Sequence, residues 1–123
     1  MAPYERLEAW RHCHELVLAV YEITRPFPSH ERYGLTSQLR RAALSAATSI
    51  AEGAALRGPR QFRRFLDVSL GSLSEVSYLL RVARDLGYVS TETWQRLEAL
   101  RDEAGKTTWG LYRSLTSRSG GGG

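Results

Sequence analysis

The stretch that decides the architecture is Leu35–Val76, LTSQLRRAALSAATSIAEGAALRGPRQFRRFLDVSLGSLSEV. Its first half places Leu35, Leu39, Ala42, Ala46 and Ile50 at steps of three and four, the spacing of one helix face. A helix is expected over about Leu35 to Glu52, with Gly53 in the left-handed position that often ends a helix. Beside that apolar stripe runs a polar one, Gln38, Arg41, Ser45, Ser49 and Glu52. The Ala and Ser content allows close backbone approach, and the paired stripes predict a helix covered on more than one side, including by another subunit.

After the Arg-rich break, Pro59 opens a second pattern with Gly58 as a weak N-cap. Phe62, Leu66, Ser69, Leu73, Val76, Leu80 and Ala83 alternate steps of four and three, flanked by Phe65, Ser72, Leu79 and Leu86. Gly71 lies inside this helix at a cost of up to about 1 kcal/mol relative to Ala, so it is read with Ser69 and Ser72 as a close-packing site. Gly87 ends the helix. Upstream, Leu7, Trp10, Cys13, Val17, Val20 and Tyr21 form a helical stripe from about Leu7 to Thr24, stopped by Pro26 and Pro28. The loop RPFPSHERYG follows, with a helical turn after Ser29. Downstream, Ser90 is a good N-cap for a last helix carrying Trp94, Leu97, Leu100, Ala104, Thr108, Leu111 and Leu115 on one face.

No segment sustains the period-two alternation of a strand, and no repeat of fixed period occurs. The expected fold is therefore all-α, an antiparallel up-down-up-down four-helix bundle over residues 5–115. The end, Ser119-Gly120-Gly121-Gly122-Gly123, reads by composition as part of a flexible Ser/Gly tail over 116–123.

Charge is unevenly placed. Residues 40–64 hold six Arg (Arg40, Arg41, Arg57, Arg60, Arg63, Arg64) and one acid, Glu52, for a local net charge of +5, while the rest of the chain sums to −1. Of the 17 basic residues, 16 are Arg, whose planar fork suits phosphate and carboxylate. Concentrated Arg attracts phosphate, whereas diffuse charge mainly solubilises. Within the cluster, Arg60, Arg63 and Arg64 fall in one helical turn near the positive end of the helix dipole.

Enzyme classes find little support. His12-Cys13-His14-Glu15 looks like a metal cluster, but consecutive helical residues project about 100° apart and cannot converge on one ion. Cys13 falls on the apolar stripe and reads as a buried, inert thiol. Serine elbows, phosphate loops and dinucleotide fingerprints are missing from the sequence. No catalytic set, metal or cofactor is expected. Phe62 and Phe65 match core spacing rather than a base-stacking platform, and no base-reading motif is evident. With one cysteine, no signal-like apolar run and no membrane-length segment, the chain reads as cytoplasmic.

Several blocks together resemble the 23S ribosomal RNA intervening-sequence proteins. They are Glu31-Arg32-Tyr33-Gly34-Leu35-Thr36-Ser37-Gln38-Leu39-Arg40-Arg41-Ala42, Ser49-Ile50-Ala51-Glu52-Gly53, Phe62-Arg63-Arg64-Phe65-Leu66 and Leu70-Gly71-Ser72-Leu73-Ser74-Glu75. Leu7-Glu8-Ala9-Trp10 and Leu86-Gly87-Tyr88 also fit. Ser49 stands where the family pattern usually has Asn, and Gly58-Pro59 where it tends to have a Ser-type cap. The resemblance implies a four-helix protomer that assembles into a ring, typically a homopentamer. A distant branch is similar to the accessory variability determinants of diversity-generating retroelements, basic pentamers that bind nucleic acid and a reverse transcriptase.

The resulting expectation is a noncatalytic homopentamer that binds RNA or DNA backbone nonspecifically through Arg57, Arg60, Arg63 and Arg64, as accessory to a nucleic-acid-handling protein such as a reverse transcriptase. Gln38, Arg40, Arg41, Ser49 and Glu52 are expected at the oligomer interface or in structural polar contacts, Glu52 pairing with Arg41 or with an Arg across a helix interface. The competing expectation is a protein-binding scaffold whose Arg residues meet acidic protein surface, and the third is an enzyme with an unrecognised site.

Overall fold

The computed structural model describes residues 1–56 and 58–121, with side chains described as far as residue 116. A 3₁₀ turn at Pro3–Arg6 leads into α1 (Glu8–Thr24), and a second, at Ser29–Glu31, precedes α2 (Leu35–Ala54). Helices α3 (Pro59–Asp85) and α4 (Thr91–Gly121) complete the chain, and no strand occurs among the described residues. The expected all-α four-helix bundle is what forms. Helix α4 runs through most of the segment 116–123 set apart by composition, of which residues 122–123 lie outside the described residues.

Side-chain pairings give the topology. Ser72 meets Ser45, Ser69 meets Ala46, and Phe62 lies against Gly53. As the α2 number rises the α3 number falls, so the two helices run antiparallel. Cys13 with Thr108 and Arg63 with Leu115 place α4 beside α1 and α3. Each helix packs on two neighbours around a square, with α1–α3 and α2–α4 on the diagonals.

The core follows the apolar periodicity. Leu16, Val20, Leu39, Ile50, Leu66, Leu73, Val76, Leu80 and Leu97 are fully enclosed. On α1 the buried set is wider than the expected stripe: Leu16, Ala19 and Ile23 are inside, while Trp10 and Tyr21 are only half-buried. The helix sits in the angle between α2 and α4, so two adjacent rows face protein.

Small residues bring α2 and α3 together. Ala42 and Ala46 are buried on α2, and the buried Ser69 hydroxyl donates to the Ala46 carbonyl across the contact at 2.8 Å. Two glycine expectations change places here. Gly53 does not end α2 in a left-handed turn, because the helix continues to Ala54 and Gly53 lacks a positive φ. A Cβ on Gly53 would lie 2.7 Å from Phe62 Cδ1 and 3.0 Å from Phe65 Cβ, so the missing side chain is what admits the rings. Gly71, expected at a close contact, faces outward with no atom within 4 Å of where a Cβ would stand.

Helix ends are held by specific groups. Gly87, at φ +79, ends α3: its N–H bonds the Arg84 carbonyl at 2.9 Å, and the Tyr88 N–H bonds Ala83 at 2.9 Å, a Schellman pair. Ser90 Oγ accepts the Thr93 N–H at 3.0 Å, capping α4 as expected. Glu31 serves the start of α2, its Oε1 accepting the Leu35 N–H at 3.1 Å and its Oε2 the Tyr88 hydroxyl at 2.9 Å. One carboxylate thus ties the α1–α2 loop to the α3–α4 turn.

Gly53→Ala is expected to destabilise the fold by about 1–3 kcal/mol, because Phe62 and Phe65 have to move. Gly71→Ala is expected to stabilise it by about 0.5–1 kcal/mol, since an exposed helical position gains a better helix former. Urea unfolding of both variants checks the contrast. The Leu35 N–H and then the Tyr88 hydroxyl hold the Glu31 carboxyl below its usual 4.5. Its contribution to stability is therefore fully present above the ordinary carboxylate range and is lost as pH falls through the depressed value. Thermal unfolding of Glu31→Gln should show a deficit at pH 6–7 that shrinks below pH 4.5.

Candidate functional site

The basic junction is built by the end of α2 and the start of α3. The last turn of α2 closes with the Ala55 N–H on the Glu52 carbonyl at 3.2 Å and the Leu56 N–H on Gly53 at 3.1 Å. Gly58 then takes φ +87, a conformation that side-chain-bearing residues resist, and reverses the chain into Pro59 at the first position of α3. Arg60 and Arg64 follow one turn apart, both exposed. Among the described residues neither forms an ion pair. They stand at the N-terminal end of a 27-residue helix, where the aligned peptide dipoles add positive potential.

The expected cluster is only partly assembled. Arg63 turns inward, half-buried, and its Nη1 donates to the Leu115 carbonyl at 3.3 Å, fastening α3 to α4. Arg57 lies outside the described residues. Phe62 is half-buried against Gly53 and packs on the core.

The residues expected at the oligomer interface or in structural polar contacts divide as well. Arg40 is used within the protomer: its Nε donates to Thr24 Oγ1 at 2.8 Å and its Nη2 to the Tyr21 carbonyl at 3.4 Å. The guanidinium lies 4.7 Å from the Tyr21 ring centroid, so a cation closes the carbonyl end of α1, where the helix dipole is negative. Ser49 is buried. Gln38 and Arg41 are exposed and line a groove of about 420 Å³ with Ser45, Ser72 and Glu75. The Arg41–Glu52 pair does not form: both side chains are exposed and neither has an ion-pair partner among the described residues. Three turns of helix, about 16 Å, separate them.

Sequence reasoning passed over Arg32 and Tyr33. They belong to the loop RPFPSHERYG and to a family block but to no expected site, yet Tyr33 is 87% exposed with the Arg32 guanidinium 5.6 Å from its ring centroid. Adjacent Arg and Tyr in a loop were the available signal, but loop geometry hides which way such a pair faces.

No group of three or more His, Cys, Asp or Glu among the described residues is placed to hold a metal. His14 stacks on Trp10 at 4.8 Å, turned away from the buried Cys13. Burial pushes the Cys13 thiol up to about 11, partly offset by Thr108 and Ser69. No helix of the described residues is long and apolar enough to cross a membrane.

Comparison with known proteins accounts for the sequence blocks. Residues 5–110 match the 23S rRNA-intervening sequence protein family. The chain belongs to that family. A crystal structure of a protein of unknown function from the S23 ribosomal protein family of Bacteroides thetaiotaomicron is similar in fold. Its TM-score is 0.75 at 16% sequence identity, over 85% of this chain and 97% of that one. No curated protein matches the chain. Membership in the 23S rRNA-intervening sequence family therefore comes with a shared bundle and without an assigned activity.

A thiol this enclosed is almost wholly protonated at pH 8. Iodoacetamide should leave Cys13 unlabelled in native protein at that pH and label it on unfolding in urea, as read by intact mass.

Proposed function

We propose that this 23S rRNA-intervening sequence family member is a noncatalytic helical bundle that assembles into a ring, a pentamer, and holds the nucleic-acid backbone nonspecifically. The reading rests on Arg60 and Arg64, exposed one turn apart at the head of α3 with no carboxylate partner among the described residues. Guanidinium forks in this setting make charge-assisted bonds to phosphate oxygens. Repetition around a ring multiplies the field, and the bound strand is presented to a nucleic-acid-handling protein such as a reverse transcriptase. Arg63 is assigned to structure rather than to phosphate.

Apolar exposure supports assembly. Val68 and Tyr78 flank the bare Gly71 on the outer side of α3, and Leu18 stands exposed on α1. A heterologous contact between two such patches closes a ring when the rotation between copies allows it.

Gel-shift titration with duplex and single-stranded RNA and DNA tests the backbone reading. Binding should be insensitive to sequence and fall steeply with salt. Arg60→Gln with Arg64→Gln should weaken it for all sequences alike and flatten the salt slope by about one unit per phosphate contact removed. Absence of binding at low salt from folded protein would sink the proposal and leave the acidic-protein scaffold. Light scattering on a sizing column should give five times the 13.8 kDa protomer mass; a monomer at micromolar concentration excludes the ring.

A further inference from the structure

We propose that the groove at the start of α2 is a separate site for a phosphate monoester attached to a nucleoside, that is, a nucleotide. It is distinct from the α2–α3 junction: Arg41 alone stands thirteen residues, about 20 Å of helix, from Ala54 at the far end of α2. The groove holds about 350 Å³, within the range of small-molecule sites. Three arginines line it, Arg32, Arg40 and Arg41, and no acidic residue does. None of the three forms an ion pair among the described residues.

The arrangement suits phosphate better than carboxylate. Three arginines around one groove bring more donors than a single carboxylate can accept, and Thr36 and Ser37 line the same groove as further donors. Arg40 is already oriented, its Nε on Thr24 and its Nη2 on Tyr21, which leaves Nη1 to a ligand at little entropic loss. Arg32 and Arg41 are exposed and complete the clamp from the loop and from the second turn of α2. At the rim the Tyr33 ring is left in water beside Arg32, the combination on which a purine or pyrimidine stacks.

Calorimetry on the full chain with adenosine monophosphate, adenosine and inorganic phosphate tests the site. The monophosphate should bind, inorganic phosphate more weakly, and adenosine not measurably. Arg41→Gln should weaken both phosphate-bearing ligands by about tenfold. Tyr33→Ser, at an exposed loop position, should weaken the monophosphate by about fivefold and leave inorganic phosphate unchanged. Arg60→Gln with Arg64→Gln should leave all three unchanged, so the site stands or falls independently of backbone binding at the junction. Oligonucleotides with 5′-phosphate and 5′-hydroxyl ends separate the sources. A preference for the phosphorylated end that Arg41→Gln removes assigns the groove to a strand terminus; monophosphate binding without that preference assigns it to a free nucleotide. The proposal is overturned if monophosphate binds no better than adenosine, or if Arg41→Gln leaves it unchanged. It is equally overturned if Arg41→Gln and Tyr33→Ser shift only the oligomeric mass with no nucleotide bound, which gives the groove to a second copy.

Discussion

The close seam between α2 and α3 is the constraint on which the rest of the bundle depends. Alanines at 42 and 46 strip this face of α2 of side-chain bulk. The backbones can then approach until a serine hydroxyl reaches across, Ser69 to the Ala46 carbonyl. At the end of the seam Gly53 yields the volume that Phe62 and Phe65 occupy. A Cβ at Gly53 would meet Phe62 at 2.7 Å, so there is no slack at that point. The seam therefore sets the depth at which α3 begins, and with it the height at which Arg60 and Arg64 emerge.

The same geometry explains why Arg63 does not face solvent with Arg60 and Arg64. Arg60, Arg63 and Arg64 look equivalent when read along the helix start, but α4 lies beside the first turn of α3. Arg63 falls on that side and finds the Leu115 carbonyl, while Arg60 and Arg64 fall on the open side. Arg40 is drawn inward by the carbonyl end of α1, and Arg41, one residue on, is rotated outward. Adjacent cations thus divide between holding the protomer together and facing solvent. Charge density alone says how many guanidiniums are near; the neighbouring helix says which are free.

Glu31 joins the α1–α2 loop to Tyr88 in the α3–α4 turn, so the loops at one end are cross-braced. Next to that braced end lies the Arg32–Tyr33–Arg41 groove, and at the other end of α2 lies the Arg60–Arg64 pair. The bundle thereby presents two basic surfaces separated by the length of α2. Family membership brings no assigned chemistry to either.

The sequence by itself determined the helix count, the helix limits other than the end of α4 to within a few residues, the Ser90 and Gly87 ends and most of the core, because steps of three and four repeat whatever the neighbours are. It determined that Cys13 is enclosed, since that residue lies on an apolar row. Only the tertiary structure decided the roles of Gly53 and Gly71, because one glycine looks like another until something is, or is not, packed against it. It also decided that Arg63 and Arg40 are fastened while Arg60, Arg64, Arg32 and Arg41 are exposed. That outcome depends on where a second helix passes, a contact between residues far apart in the chain that no local pattern encodes.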